Sequence, residues 1–231
     1  MSGKLFIVST PIGNLKDITL RAVETLKSVD FILCESIKVS RNLLSHYQIK
    51  RKLIPLKKDT QDSVYLNIIQ KIKDSEDAGY IVDAGTPCIS DPGSRLVSLA
   101  IERGIEVIPI PGPSALVSAL VVSGMPLSSF TFLGFVPHKK GRNKFLTEVL
   151  ESDKTVAFYD SKHRIKKTFL ELNELVKAKS LDPKKILVSV SNDLTKKFEK
   201  TIRGDFDKIS KEIEELDPKG EFVITIKNLN K

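Results

Sequence analysis

Three segments hold the residues best placed to do chemistry. The densest is Asp83-Ala-Gly-Thr-Pro-Cys-Ile-Ser-Asp-Pro-Gly93, which leaves the apolar run Tyr80-Ile-Val82 and opens onto a helix-like stretch, Ser94 to Ile101. Ser9-Thr-Pro-Ile-Gly-Asn14 follows Leu5–Val8, and Pro109-Ile-Pro-Gly-Pro-Ser-Ala115 follows Glu106–Ile108. Glycine permits positive φ and proline fixes φ, so loops rich in both control the path of the main chain closely. Such loops lay bare backbone against a ligand. Three of them at the ends of apolar strands imply one crevice at the carboxyl edge of a parallel sheet. Neither the Lys-Ser/Thr ending of a phosphate loop nor a G-x-G-x-x-G occurs, which disfavours ATP and NAD by their common routes. A ligand held by main-chain amides and carbonyls in a partly apolar slot suits the loops better. S-adenosylmethionine is such a ligand, and a purely structural turn is the competing reading.

The elements that would position these loops alternate in period. Lys4–Val8 reads as a strand, and Asp17 or Thr19 can cap a helix carrying Leu20, Val23 and Leu26. Phe31–Cys34 reads as a strand, followed by a helix near Ser40–Tyr47 and a short strand near Leu53–Leu56. Asp62 begins a helix with Leu66, Ile69 and Ile72 on one face, and strands at Tyr80–Asp83 and Glu106–Ile110 flank the helix after Gly93. This alternation implies a mainly parallel sheet with right-handed crossovers. Ser114–Ser123 is nearly all small or apolar and reads as a buried helix ended by Gly124-Met-Pro126. We place the domain junction there, giving 1–113 and 114–231. The second half should carry strands at Phe130–Gly134, Thr155–Tyr159 and Ile186–Val190 with helices at Arg142–Ser152 and His163–Val176. Strands at Lys197–Arg203 and Glu221–Lys227 around a polar helix, Phe206–Leu216, make this second sheet mixed.

The 231 residues carry a net charge of +8, unevenly spread. Residues 1–115 hold 15 Lys/Arg against 13 Asp/Glu, and residues 116–231 hold 22 against 16. A polyanionic partner is favoured, with the C-terminal half supplying most of the attraction. Cys34 and Cys88 lack paired spacing and read as reduced thiols of the cytosol, while His46, His138 and His163 lack metal-ligand spacing, so no metal is expected. There is no signal peptide and no apolar run approaching the ~20 residues of a membrane span, so a cytoplasmic location is expected.

Taken in order, the motifs resemble the tetrapyrrole-methylase superfamily, the class III S-adenosylmethionine-dependent methyltransferases. The resemblance rests on Ser9-Thr-Pro-Ile-Gly-Asn-Leu15 with Asp17-Ile18, Asp83-Ala-Gly-Thr-Pro87 through Ser90-Asp-Pro-Gly93, and Pro111-Gly-Pro-Ser-Ala115. It continues at Gly134-Phe135 with Gly141-Arg142, Phe158-Tyr-Asp-Ser-Lys-His-Arg164, Leu194-Thr-Lys196 with Phe198-Glu199, and Gly220-Glu221. Within the superfamily the likeness points to enzymes that methylate the ribose 2′-oxygen of a cytidine in the decoding region of small-subunit (16S) ribosomal RNA. The family implies two α/β domains, S-adenosylmethionine held in the cleft between them, and a homodimer. By resemblance, cofactor contacts would come from Pro11, Gly85, Thr86, Pro87 and Ile89, from Ser114 and Ala115, and from Phe158, Tyr159, Val190, Ser191 and Asn192. The Pro11–Asn14 loop would border the acceptor side.

Two motifs depart from the family pattern. Glu35-Ser36-Ile37-Lys38 stands for Glu-Asp-Thr-Arg, and Ser191-Asn192-Asp193-Leu194-Thr195-Lys196 for Ala-Arg-Glu-Leu-Thr-Lys. A lysine cannot reproduce arginine's planar bidentate grip, so substrate contacts differ in detail. Lys139-Lys140-Gly-Arg142 and Lys162-His-Arg164 are either solvated surface or phosphate contacts, and with Asn14, Lys38 and Lys196 they form the candidate RNA set. Unpaired bases stack on aromatics, for which Tyr159, Phe135 and Tyr47 are the options considered. A ribose hydroxyl is a weak nucleophile, so a general base would help. Glu35, Asp193 and His163 are the candidates. Glu35 reads equally as a carboxylate bonding loop amides, His163 as an RNA contact or helix start, and Asp193 as a strand terminator. Methylation of a small molecule such as a tetrapyrrole, or of a translation-factor side chain, is the second functional reading. A non-catalytic RNA-binding relic is the third, disfavoured by the intact loops.

Overall fold

A computed structural model describes residues 2–57 and 59–230. The chain divides into two compact units, residues 1–114 and 115–231. In the first, β1 (Lys4–Val8), α1 (Leu20–Ser28), β2 (Phe31–Cys34), α2 (Ile37–His46), β3 (Lys52–Pro55), α3 (Asp62–Lys73), β4 (Ala78–Ile81), α4 (Ser94–Glu102) and β5 (Glu106–Ile110) follow one another. The five strands pair in the order β3-β2-β4-β1-β5, all parallel.

Side chains alternate faces along each strand. Val8, Ile32 and Ile81 pack with Ala22 and Leu26 of α1 and Leu44 of α2. Leu5, Leu33 and Tyr80 pack with Ile68 and Ile69 of α3 and Leu96 and Leu99 of α4. Burial on both faces explains why β2 and β4 are apolar throughout. The order also fixes where a crevice must open. From β1 the chain crosses to β2 over the α1 face; from β4 it crosses in the other direction to β5 over the α4 face. β4 and β1 are neighbours, so connections leaving their carboxyl ends part toward opposite faces. That is the switch point at which open α/β sheets bind ligands.

Thr19 caps α1, its hydroxyl accepting from the Ala22 amide at 3.1 Å. Two expected core residues are corrected: Leu20 is 83% exposed and Leu66 44% exposed. The apolar face of α3 runs instead through Tyr65, Ile68, Ile69 and Ile72.

The second unit contains α5 (Ala115–Val121), β6 (Phe130–Phe135), α6 (Arg142–Glu151), β7 (Thr155–Ser161), α7 (Ile165–Ala178), β8 (Ile186–Asn192), β9 (Lys200–Asp205), α8 (Phe206–Glu215) and β10 (Glu221–Asn228). Its sheet runs β6-β7-β10-β8-β9, parallel at β6–β7 and antiparallel elsewhere, so it is mixed as expected. Val156, Phe158, Val188, Val190, Ile224 and Ile226 face α6, α7 and α8 across the main core. Leu116 and Leu120 of α5 pack on Ala157 of β7, on the opposite face. That helix is buried along one side only, since Val117 and Val121 are exposed, which corrects the expectation of a wholly buried helix.

Candidate functional site

The three Gly/Pro loops meet at the carboxyl ends of β4, β1 and β5. Just past β1, Thr10 and Gly85 form an isolated antiparallel bridge, each amide donating to the other's carbonyl at 2.9 and 3.0 Å. The Thr10 hydroxyl donates to the Val82 carbonyl at 3.1 Å. On the other side of β1, the Ser9 amide donates to the Ile110 carbonyl at 3.2 Å, and Ser9 Oγ lies 3.0 Å from Thr86 Oγ1. Thr86 in turn donates to the Pro113 carbonyl at 3.2 Å. Six residues from the three loops, Ser9, Thr10, Gly85, Thr86, Ile110 and Pro113, are thus bonded into one frame.

Glycine is required within that frame for two different reasons. Gly85 is buried with φ +84°, and a Cβ there would lie in ordinary contact with Ile12 Cγ2 at 3.4 Å and the Pro113 carbonyl at 4.0 Å, so the positive φ rather than crowding calls for glycine. Gly93 has φ +128°, and a Cβ would strike Tyr80 Cε1 at 2.4 Å and Cys88 Sγ at 2.8 Å. Gly93 is required by packing, and Gly85 by the left-handed backbone of the cradle it forms with Thr10. Tyr80 is fully buried, and its hydroxyl donates to the Pro92 carbonyl at 2.7 Å, fixing the far end of the loop. Between the two glycines Cys88 and Ser90 hold φ of +71° and +65°, unusual for side-chain-bearing residues. Of the cofactor candidates here, Pro11 and Pro87 are buried, Thr86 and Ser114 half-buried, and Ile89 is 45% exposed.

Glu35 and Asp83 close the neighbouring strand ends. The Asp83 amide donates to Glu35 Oε2 at 3.5 Å and the Ser36 amide to Asp83 Oδ1 at 3.1 Å. Partial burial raises the Asp83 carboxyl above the usual aspartate range, against the opposing pull of the Ser36 amide. Asp83 belongs to the densest loop motif, yet sequence reasoning gave it no role. Its signal was its place as the first residue past an apolar strand. Asn14 caps a short 3-10 turn at Leu15–Asp17, accepting from the Lys16 amide, and the Tyr47 hydroxyl donates to the Leu15 carbonyl at 2.6 Å. Lys38 lies exposed in the first turn of α2. A hollow of about 290 Å³ beside that helix is lined by Arg41, Lys50 and Arg51 with no acidic residue, so positive surface is not confined to the C-terminal half.

In the second unit the expected residues separate by role. Phe158 and Val190 are corrected as side-chain contacts, because both are buried in the main core. Tyr159 lies on the opposite face, half-buried against Phe132 and Phe135 at ring separations of 5.0 and 5.1 Å. Ala115 begins α5, and Ser191 Oγ lies 2.9 Å from Thr201 Oγ1. Asn192 Nδ2 donates to the carbonyls of Lys219 and Glu221 at 2.7 and 3.0 Å, which pins the start of β10. Asp193, at φ +49°, accepts an ion pair from Lys196 Nζ at 3.3 Å, and His163 is exposed in the turn before α7.

Two arginines expected on RNA are corrected as internal. Arg142 is 6% exposed, with Nε 2.6 Å from Glu171 Oε2, NH2 donating to Thr168 at 2.8 Å and NH1 to the Pro137 carbonyl at 3.1 Å. Arg164 donates to the Val136 carbonyl at 2.6 Å and to Ser161 Oγ at 3.2 Å, with Asp160 at 3.6 Å. Buried Asp160 holds the centre, accepting from Thr168 at 2.5 Å; burial raises its carboxyl, and Thr168, the Ser161 amide and both arginines oppose that rise. Lys139, Lys140, Lys162 and Lys196 remain exposed. The Lys162 amide donates to the Gly220 carbonyl at 3.2 Å, and Gly220 abuts Asp193, so the segments around 160–164, 192–196 and 219–221 share one end of the sheet. Among the described residues there is no cluster of three metal-ligating side chains, and no helix is long and apolar enough to cross a membrane.

Comparison with known proteins adds sequence-wide support. The family of tetrapyrrole (corrin/porphyrin) methylases matches residues 4–210. A Hydrogenobaculum protein named ribosomal RNA small subunit methyltransferase I is 41% identical over 98% of this chain and 96% of its own. A Thermotoga maritima protein of the same name is 36% identical over 97% and 98%. Among solved structures, uroporphyrin-III-C-methyltransferase from Thermus thermophilus superposes with a TM-score of 0.65 at 17% identity, covering 96% of this chain and 94% of that one, which shows a shared fold. With its three loops joined at the switch point, the chain belongs to the tetrapyrrole (corrin/porphyrin) methylase family.

Proposed function

We propose that the protein is an S-adenosylmethionine-dependent methyltransferase acting on the ribose 2′-oxygen of a cytidine in small-subunit (16S) ribosomal RNA near the decoding centre. The observation that carries the reading is the Thr10–Gly85 bridge, which holds a glycine cradle at the switch point of the first unit. Curated relatives about 40% identical are named for methylation of small-subunit ribosomal RNA. The cradle suits an adenosine-bearing ligand because Gly85 brings no side chain to the loop while Thr10 fixes its amide and carbonyl. Pro11, Thr86, Pro87, Ile89 and Ser114 are the remaining candidates on these loops, with Ala115, Tyr159, Ser191 and Asn192 those of the second unit. The cofactor supplies a methyl carbon already activated by its sulfonium.

What the chain must add is alignment and exclusion of water, since orientation alone can remove ~7–11 kcal/mol of barrier. The attacking hydroxyl forms the new C–O bond while the C–S bond breaks toward sulfur, and its proton passes to a base or to water. Glu35 Oε2 is engaged by the Asp83 amide and Asp193 Oδ1 by Lys196, which favours structural roles for both. His163, exposed between Lys162 and Arg164, suits contact with RNA. Lys38, Lys139, Lys140, Lys162 and Lys196, with Asn14, form the proposed RNA-facing set. A cytoplasmic homodimer completes the reading.

Transfer of label from methyl-tritiated S-adenosylmethionine tests it. Isolated small ribosomal subunits or their RNA should become labelled at a cytidine ribose. Labelling of a tetrapyrrole instead, with RNA left blank, would replace this reading by the small-molecule one.

A further inference from the structure

Resting on the RNA reading above, we infer that Phe198 is a stacking platform for an unpaired base of the RNA substrate, set among lysines that take the adjoining phosphates. Phe198 is 74% exposed, while Phe130 and Phe135 reach only 42% and 39%. A single exposed apolar side chain is ordinary on a protein surface. This one is distinguished by its support and its surroundings.

The support is rigid. Phe198 lies between β8 and β9 on a segment whose backbone takes positive φ at Asp193 (+49°) and Thr195 (+65°), both side-chain-bearing residues. Leu194, on the same segment, is buried. The Lys196 amide donates to the Asp193 carbonyl at 2.9 Å and the Glu199 amide to the Lys196 carbonyl at 3.1 Å. Glu199 accepts from the Thr195 amide at 2.5 Å, and Lys196 pairs with Asp193 at 3.3 Å. A backbone held this way fixes where the ring is presented and leaves little main-chain freedom to lose on binding, which favours affinity.

The surroundings are cationic. Lys196, Lys197 and Lys200 are exposed beside the ring in sequence, and Lys197 Nζ sits 5.5 Å from its centroid. Lys162 is tied to Gly220, and Lys219 precedes it, so two further lysines lie at the same end of the sheet. Lys219 pairs with Asp217 at 3.4 Å on the open surface, a contact worth little. An aromatic face bordered by lysines matches single-stranded nucleic acid, where bases stack and cations follow the backbone.

The test compares the full-length protein with Phe198→Leu and Phe198→Trp, using an unstructured single-stranded RNA carrying 2-aminopurine, whose fluorescence falls on stacking. Phe198→Leu should weaken binding roughly 5- to 150-fold, the range for one stacked base, and abolish the quench. Phe198→Trp should keep both. Calorimetry with S-adenosylmethionine should be unchanged in all three, showing an intact fold. Equal RNA affinity in Phe198→Leu overturns the inference and leaves the RNA reading standing, provided the wild type binds with a steep salt dependence. No RNA binding by the wild type overturns both. A smaller assembly for Phe198→Leu by sedimentation assigns the ring to contact between copies instead.

Discussion

Glu35 and Asp83 brace each other across β2 and β4: the Asp83 amide donates to Glu35 Oε2, and Asp83 Oδ1 accepts from the amide that follows Glu35. A carboxylate used in this way needs an acceptor oxygen and not a titrating proton. Glu35→Gln should therefore keep methyl transfer within about twofold, whereas Glu35→Ala should lose about 1 kcal/mol of stability through the unmet amide. Rates and urea denaturation of both variants check this. A large loss of rate in Glu35→Gln, with stability unchanged, would make Glu35 the base.

The two loop glycines should fail in different ways. Gly93→Ala places a methyl group within 2.4 Å of Tyr80 at φ +128° and should cost roughly 2–4 kcal/mol of stability. At Gly85 a Cβ would lie 3.4 Å from Ile12 Cγ2, and the φ of +84° adds backbone strain of ~1–3 kcal/mol to Gly85→Val. It should still weaken S-adenosylmethionine binding by roughly tenfold or more, equivalent to ~1.4 kcal/mol, by filling the cradle. Calorimetry alongside denaturation separates the two, and unchanged affinity in a folded Gly85→Val would remove Gly85 from the site.

Arginine and lysine in one basic run have opposite fates. Arg142→Ala leaves Glu171 and Thr168 without their buried partner and should destabilise by about 3–5 kcal/mol. Lys139→Glu with Lys140→Glu should leave stability alone and weaken RNA binding. If each lysine meets one phosphate, the slope of log K against log salt should fall by roughly 1.4 for single-stranded RNA. An unaltered slope would mark the pair as ordinary surface.

Asp160 predicts a pH effect of definite sign. Burial raises its folded-state carboxyl above the ordinary 3.8, so the folded protein binds a proton before the unfolded chain does. Its contribution to stability is complete below that ordinary value and is lost as pH rises through the raised one. Asp160→Asn removes this dependence. The melting temperature of wild type relative to Asp160→Asn should therefore decline as pH rises from below 3.8 across the acid range. A relative rise over that interval would show that Arg142 and Arg164 outweigh burial.

The sequence made strands and caps legible where local chemistry decides them. Lys4–Val8, Phe31–Cys34 and Glu106–Ile110 end where apolar runs end, and Thr19 caps by its own hydroxyl. The convergence of the three loops was readable because strand–helix alternation dictates a parallel sheet. What depended on distant partners was hidden. Arg142 resembles its lysine neighbours until Glu171 and Thr168, 29 and 26 residues away, surround it. Leu66 lost its expected core place because the face of α3 is set by contact with the sheet, which rotates Tyr65 inward. Phe158 and Tyr159 exchange environments in a single step along β7, a difference that only knowledge of the covering helices supplies. Phe198 was not among the stacking options, because nothing local in the run Lys196–Lys200 separates an exposed phenylalanine from the many that enter the core.

The interior position of β1, between β4 and β5, has a consequence for biosynthesis. Leu5 pairs with Ala78 on one side and Val107 on the other. One edge can be covered once the strand Ala78–Ile81 has been made, but the other stays open until the strand ending at Ile110 follows, so the nascent first unit carries an unpaired strand edge through most of its synthesis. Such non-local pairing folds slowly. The contacts from Ser9 to Ile110 and from Thr86 to Pro113 consequently form only at the closing stage of sheet assembly, and a chain cut short before Glu106 would keep both partners of the Thr10–Gly85 bridge but lack the third loop that completes the frame.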